Sequence, residues 1–328
     1  MRSRSHKLTK VLIIAFGFFV VSQGVAQAQS STEVDALAAI KRATNPTTKL
    51  SAAEDFIAKF PNSSARLSVA ETVAGEILKI KNGAVALALL DRAKAVFTSD
   101  PEKEILKPVA LEAYASGNRI DDAFALAGDM LAKNPDDTNV LVRMTLAGTE
   151  ETRRKNRKYA DVSLQYGLKA IALIEADRKP TSINDEAWAL QKGNLAELYQ
   201  QTAILYLASG NTPEAKSRLI KAAALSPLDP SNFALLARVM NADYLLQMDA
   251  YEALPDGKVK QDAQKTLEAL LDSLIETYAR AAGLATGRVE YQTLLQQVIP
   301  DLTTYYKYRH NQSVKGLQQL INRYRLRQ

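Results

Sequence analysis

One histidine, His310, follows the N-terminal 28 residues, and the chain of 328 residues contains no cysteine. Zero Cys removes disulfides, thiol nucleophiles and thiolate metal sites together, and a single imidazole builds no His/Cys metal cluster. The paired acids Asp121-Asp122 and Asp136-Asp137 could in principle share a proton, but they sit where helices begin or chains turn, and capping accounts for them. No Gly-rich phosphate loop is present, and no Ser/His/Asp set has a helix or strand context to bring it together. The sequence therefore predicts no catalytic residue, no cofactor site and no metal site.

Two cationic clusters remain as binding candidates. Arg153-Arg154-Lys155-Asn156-Arg157-Lys158 falls between two helical stretches, where a solvated turn or an anionic partner would each explain it. The second runs from Thr303 to Ser313, with Tyr305, Tyr308 and Arg309 at its centre and Arg323, Tyr324, Arg325 and Arg327 following. Interleaved aromatic and basic side chains can stack on bases or hold anions. Large Tyr residues also serve to close the end of a helical stack.

The elements that must position these residues read as helices throughout. Ala, Leu, Lys and Glu are abundant, Gly is sparse at 14, and no convincing strand is found. Apolar stripes with Pro, Asn and Gly punctuation predict helices from about 33, from Leu50 to Phe60, then at about 65–81, 84–98, 103–116, 120–133, 138–154 and 158–176. Arg178 to Asn184 breaks the pattern. One 25-residue helix is predicted over Asp185–Ser209, then helices to about Leu254, to Ala282, and over Glu290–Lys307 with a kink or split at Pro300. Ser313 is the expected N-cap of a last helix ending near Leu326. Pro108 either kinks its helix or marks that helix's first turn.

Within Ala196–Asp229 the spacing is that of a two-helix unit. Counting Ala196 as 1, Tyr206 falls at 11, Gly210 at 15, Ala215 at 20, Leu219 at 24, Ala222 at 27 and Pro227 at 32. Tyr206 is the expected knob and Ala215 the hole facing it; Thr212 is the expected N-cap, Pro213 the first helical residue, and Lys216 a solvent-facing neighbour. These residues resemble a tetratricopeptide repeat, with Thr202-Ala203 replacing the usual Leu-Gly pair. A second copy from Glu104 has Tyr114, Ala123 and Pro135 at the same places, and Pro101 precedes Pro135 by 34 residues. Weaker copies begin at Leu141, with Ala147-Gly148 and Ala160, and near Val69, with Gly83 and Ala88. One such hairpin cannot bury its apolar face alone, so the copies predict a stack.

The resemblance implies function through the first helix of each unit, whose inner positions are Ile105, Pro108, Glu112, Ala115; Val142, Thr145, Thr149, Thr152; and Glu197, Gln200, Ile204, Leu207. The Lys/Asn/Arg clamp by which some family members hold a terminal carboxylate is absent from them. A mildly apolar surface with hydroxyls and amides suits a peptide or another helix.

At the N-terminus Arg2, Arg4, Lys7 and Lys10 precede an apolar run from Val11 to Val21, and Ala26-Gln27-Ala28 follows. This is the order of a secretory signal peptide, and a run of 11 residues is short for a bilayer span. Cleavage after Ala28 is expected, a retained anchor being the alternative, and the location implied is periplasmic or secreted. Four of the 42 basic residues and none of the 36 acidic ones precede Gln29, so the net charge falls from +6 to +2 and nucleic acid is not an expected partner.

The sequence thus predicts an all-α, helical-hairpin repeat solenoid with a long C-terminal helical cap. Its segments are a signal peptide (1–28), N-terminal repeats (29–178), a central unit with an extended first helix (179–255) and the cap (256–328). The function expected is that of a non-enzymatic scaffold for a protein or peptide, with groove candidates Glu112, Thr145, Thr149, Glu197, Gln200, Ile204 and Leu207, and secondary candidates Arg153, Arg154, Tyr305, Tyr308 and Arg309. The alternatives are an envelope-assembly or cell-wall recruitment factor and a carrier for a small or anionic ligand.

Overall fold

A computed structural model describes residues 31–326 except residue 182, so the expected signal peptide lies outside the described residues. Fifteen α-helices and one 3-10 turn account for its regular structure, and no strand occurs among the described residues. They are α1 (Ser31–Arg42), α2 (Pro46–Lys59), α3 (Arg66–Leu78), α4 (Gly83–Val96), α5 (Asp100–Ser116), α6 (Ile120–Lys133), α7 (Thr138–Arg153) and α8 (Ala160–Glu175). Then follow α9 (Asp185–Gly193), α10 (Leu195–Ala208), α11 (Thr212–Leu225), α12 (Pro230–Glu252), α13 (Lys258–Ala285), the 3-10 turn Val289–Tyr291, α14 (Gln292–Arg309) and α15 (Leu317–Arg323).

Local chemistry sets most of these boundaries. Asn45 caps α2 by accepting the Thr48 N–H at 2.9 Å, with Pro46 in the first turn, and Asn82 accepts the N–H groups of Ala84 and Val85 at the start of α4. The carboxylates of Asp137 and Asp229 do the same for α7 and α12, accepting from Asn139 and Val140 and from Ser231. The second acid of Asp136-Asp137 is therefore a cap, as its place in the sequence suggested.

The helices form two compact units. One comprises 31–147 with Lys179–Trp188; the other comprises Gly148–Arg178 with 189–326. Inside each, a helix packs chiefly on the next or the next but one: α2 on α3 and α4, and α5 on α3, α4 and α6 in the first; α10 on α8 and α11, and α12 on α11, α13 and α14 in the second. The first core is built from Leu50, Phe56, Val73, Ile77, Leu90, Phe97, Leu106 and Val109, all buried. The second runs from Ala203 and Leu219 through Phe233, Tyr244, Leu271 and Tyr278 to Leu302 and Ile321. Close approach is paid for with glycine at two places. A Cβ on Gly83 would lie 2.3 Å from the Ser116 carbonyl oxygen, and one on Gly283 would lie 2.4 Å from that of Ile321.

Several sequence expectations are corrected here. The predicted 25-residue helix is two helices, because the chain leaves helical geometry at Asn194 (φ −94°, ψ 8°), just after Gly193. Asn211, not Thr212, caps α11, its side chain accepting the Glu214 N–H at 3.3 Å. Pro108 lies well inside α5 rather than in its first turn, and α14 likewise continues through Pro300. α13 runs past Gly283 to Ala285. The last helix begins after Gly316, while the Ser313 hydroxyl accepts the Lys315 N–H in the preceding turn. Lys216 does not simply face solvent: it is half-buried and pairs with Asp243 at 3.0 Å. Ala215 is fully buried, and Tyr206 packs against the same core.

Candidate functional site

On α10 the four expected inner positions separate by environment. Leu207 is exposed, Ile204 half-buried and Glu197 exposed, whereas Gln200 is buried and donates to the Asn232 side chain at 2.9 Å. Asn232 in turn donates to the carbonyl of Ala222 at 3.2 Å, so this amide pair stitches α10 to α12 rather than awaiting a partner. The hydroxyls of Thr145 and Thr149 are likewise not presented to a surface. Both residues are fully buried, and Thr145 donates to the Leu141 carbonyl at 2.8 Å. An inner position can face neighbouring helices as readily as open space, and spacing does not distinguish the two.

Glu112 on α5 is half-buried and bonded to the Arg143 guanidinium, with one contact at 3.2 Å, so its charge is already matched. Arg153 and Glu197, 44 positions apart, come into one neighbourhood at the start of α10. Arg153 donates to the Gln201 amide oxygen at 3.0 Å. Although the residue as a whole is exposed, burial of its carboxyl raises the Glu197 pKa, with Asp229 adding to the rise and Arg153 and a bond to Gln201 opposing it. Leu207, Ile204, Glu197 and Arg153 therefore offer apolar, acidic and basic groups on one helix and its surroundings. Arg153 also pairs with Glu150 at 3.6 Å, and Arg154 pairs with Glu150 and Glu151 at 3.4 and 2.9 Å.

The C-terminal aromatic cluster is mostly spent on packing. Tyr305 bonds through its hydroxyl to Asn241, stacks on Tyr278 at 6.3 Å and meets Tyr244 edge-on at 5.7 Å. Arg309 holds Asp272 through two bonds of 2.8 and 3.2 Å, while Tyr324 bonds to Glu276 and Arg323 pairs with that same carboxylate at 3.2 Å. Tyr308 alone of the three candidates stays open, at 62% exposure. Arg327 lies outside the described residues.

A polar cleft not foreseen in the sequence opens beside this cluster. Ala234 and Arg238 of α12, Tyr278 of α13, and Gln297, Val298 and Asp301 of α14 line a cavity of about 270 Å³. Tyr278 is buried and donates to Asp301 Oδ2 at 3.2 Å. Burial raises the Tyr278 pKa, and the Asp301 charge adds to that. The one available signal was Arg238 and Asn241 on an otherwise apolar face of α12. No group of three or more His, Cys, Asp or Glu suited to a metal, and no helix long and apolar enough to cross a membrane, occurs among the described residues. Neither a scan of protein-family models nor a search of curated proteins finds a match to this chain.

Proposed function

We propose that the chain is an exported tetratricopeptide-like stack of helical hairpins that binds a protein or peptide partner and catalyses nothing. Packing of α2, α5, α10, α12 and α13 on next or next-but-one neighbours supports the stacked-hairpin reading within each unit. The observation that carries the binding role is the α10 surface, where half-buried Ile204 and exposed Leu207 follow Glu197, with Arg153 near it, along one helix. An apolar strip bordered by both signs of charge suits an amphipathic helix or an extended peptide. A photo-crosslinking amino acid at position 204 or 207 tests this in the native host. The expected result is an adduct of one defined mass at these two positions and none at Ile220, which is exposed on the neighbouring helix. Equal labelling at all three positions, or none at 204 and 207, would contradict the reading. Export makes a separate claim: N-terminal sequencing of the mature protein should begin at Gln29, and retention of Arg2 in a membrane fraction would overturn it.

A further inference from the structure

The cleft between α12, α13 and α14 carries a charge arrangement that the partner-binding role leaves unused. Arg238 and Asp301 line the same cavity, yet among the described residues they form no ion pair with each other, and Arg238 is exposed with no carboxylate partner. The Arg238 backbone and the Asp301 side chain are both anchored. Arg238 stands on a helix whose neighbouring turns, Ala237 and Val239 to Met240, are buried in the core. Asp301 Oδ2 takes the Tyr278 hydroxyl, and the Tyr278 ring is fixed by its stack on Tyr305, which is itself bonded to Asn241. No donor reaches Asp301 Oδ1 among the described residues, so Oδ1 is open to accept from a ligand. Ala234 and Val298 supply the apolar wall, and the Gln297 amide stands at the exposed margin.

A guanidinium and a carboxylate that line one cavity without pairing with each other are complementary to a molecule bearing both opposite charges. The planar fork of Arg238 suits a carboxylate, and Asp301 suits an ammonium group. A cavity of about 270 Å³ lies at the small end of ligand sites, the size for one amino acid or a short peptide end rather than a folded partner. We infer that this cleft binds a small zwitterion of the α-amino-acid class, its carboxylate on Arg238 and its ammonium on Asp301 Oδ1. This site is separate from the α10 surface and stands or falls independently of it.

Calorimetric titration of the mature protein with each of the common L-amino acids tests the inference, with acetate and methylammonium as ligands bearing one charge each. At least one amino acid should saturate the protein at millimolar concentration or below, about tenfold more tightly than either single-charge probe. Arg238→Gln and Asp301→Asn should each weaken that binding about tenfold or more, since each removes one charge-assisted contact. Asn at 301 keeps an oxygen for the Tyr278 hydroxyl, and Arg238 forms no ion pair among the described residues, so unchanged thermal melting is expected of both variants. Should Asp301→Asn disturb folding, Arg238→Gln still decides the matter. Saturation by no amino acid, equal binding of acetate, or binding unaltered in Arg238→Gln would overturn the assignment.

Discussion

Among single residues, the pair with most at stake is Arg66 and Glu102. The Glu102 side chain is 1% exposed, and Arg66 reaches it with bonds of 2.8 and 3.1 Å while the Ser99 N–H donates at 2.9 Å. Burial pushes the Glu102 carboxyl up, but the Arg66 and Ser99 bonds outweigh it and hold its pKa below the ordinary value. Arg66→Ala strands that carboxylate, and the expected loss is about 3–5 kcal/mol on urea denaturation at neutral pH. Because the folded carboxyl binds its proton less tightly than the unfolded one, its stabilisation is present above the ordinary carboxyl range and disappears as pH falls through it. The Arg66→Ala defect should therefore shrink in acid; a defect constant with pH would show that the ion pair is not its cause. Neither residue stood out in the sequence. Their 36-residue separation hides the contact.

For the elements, the helices themselves were readable from their apolar stripes, and their boundaries at most Pro and Asn caps, but the boundaries at Gly193-Asn194, Asn211 and Gly316 were missed because the cap there is ambiguous. Gly193-Asn194 reads through as helix because apolar residues continue on both sides, and Ser313 reads as an N-cap because hydroxyls commonly cap, although the helix begins after Gly316. Docking of the last helix depends on Gly283, where a methyl group would also lie 2.6 Å from the Tyr324 Cβ. Gly283→Ala should cost about 1–3 kcal/mol and raise hydrogen exchange across 317–326 first; unchanged exchange there would mean α15 is not packed as described. The Tyr cluster between α12, α13 and α14 gives an alkaline signature. Burial, with the nearby Tyr308 and Tyr305, pushes Tyr244 up to about 12. A folded pKa above the unfolded one near 10 means stability is complete below about pH 10 and is lost as pH rises toward about 12. Tyr244→Phe should flatten part of that alkaline fall in urea midpoint. An identical fall in both proteins would place the titration elsewhere.

At the scale of the whole molecule, all-helical architecture followed from composition and periodicity, because an apolar stripe at helical spacing needs only its own neighbours to be recognised. The cleft did not follow, since its six residues come from three helices and span positions 234 to 301. Nor did the inward turn of Thr145 and Thr149, which depends on what packs against α7 rather than on α7 itself. The hairpin stack is the claim on which the proposed function rests, and in a stack damage spreads to neighbours and little further. Ala215 is fully buried at the α10–α11 contact, so Ala215→Leu should cost about 1–3 kcal/mol by overpacking. Lys216→Leu, which removes only a half-exposed ion pair, should cost less than about 1 kcal/mol. Hydrogen exchange of the Ala215→Leu protein measures the consequence directly. The stack predicts lost protection centred on 185–250, with residues 50–80 close to wild type; uniform loosening along the chain, or a neutral substitution, would contradict it.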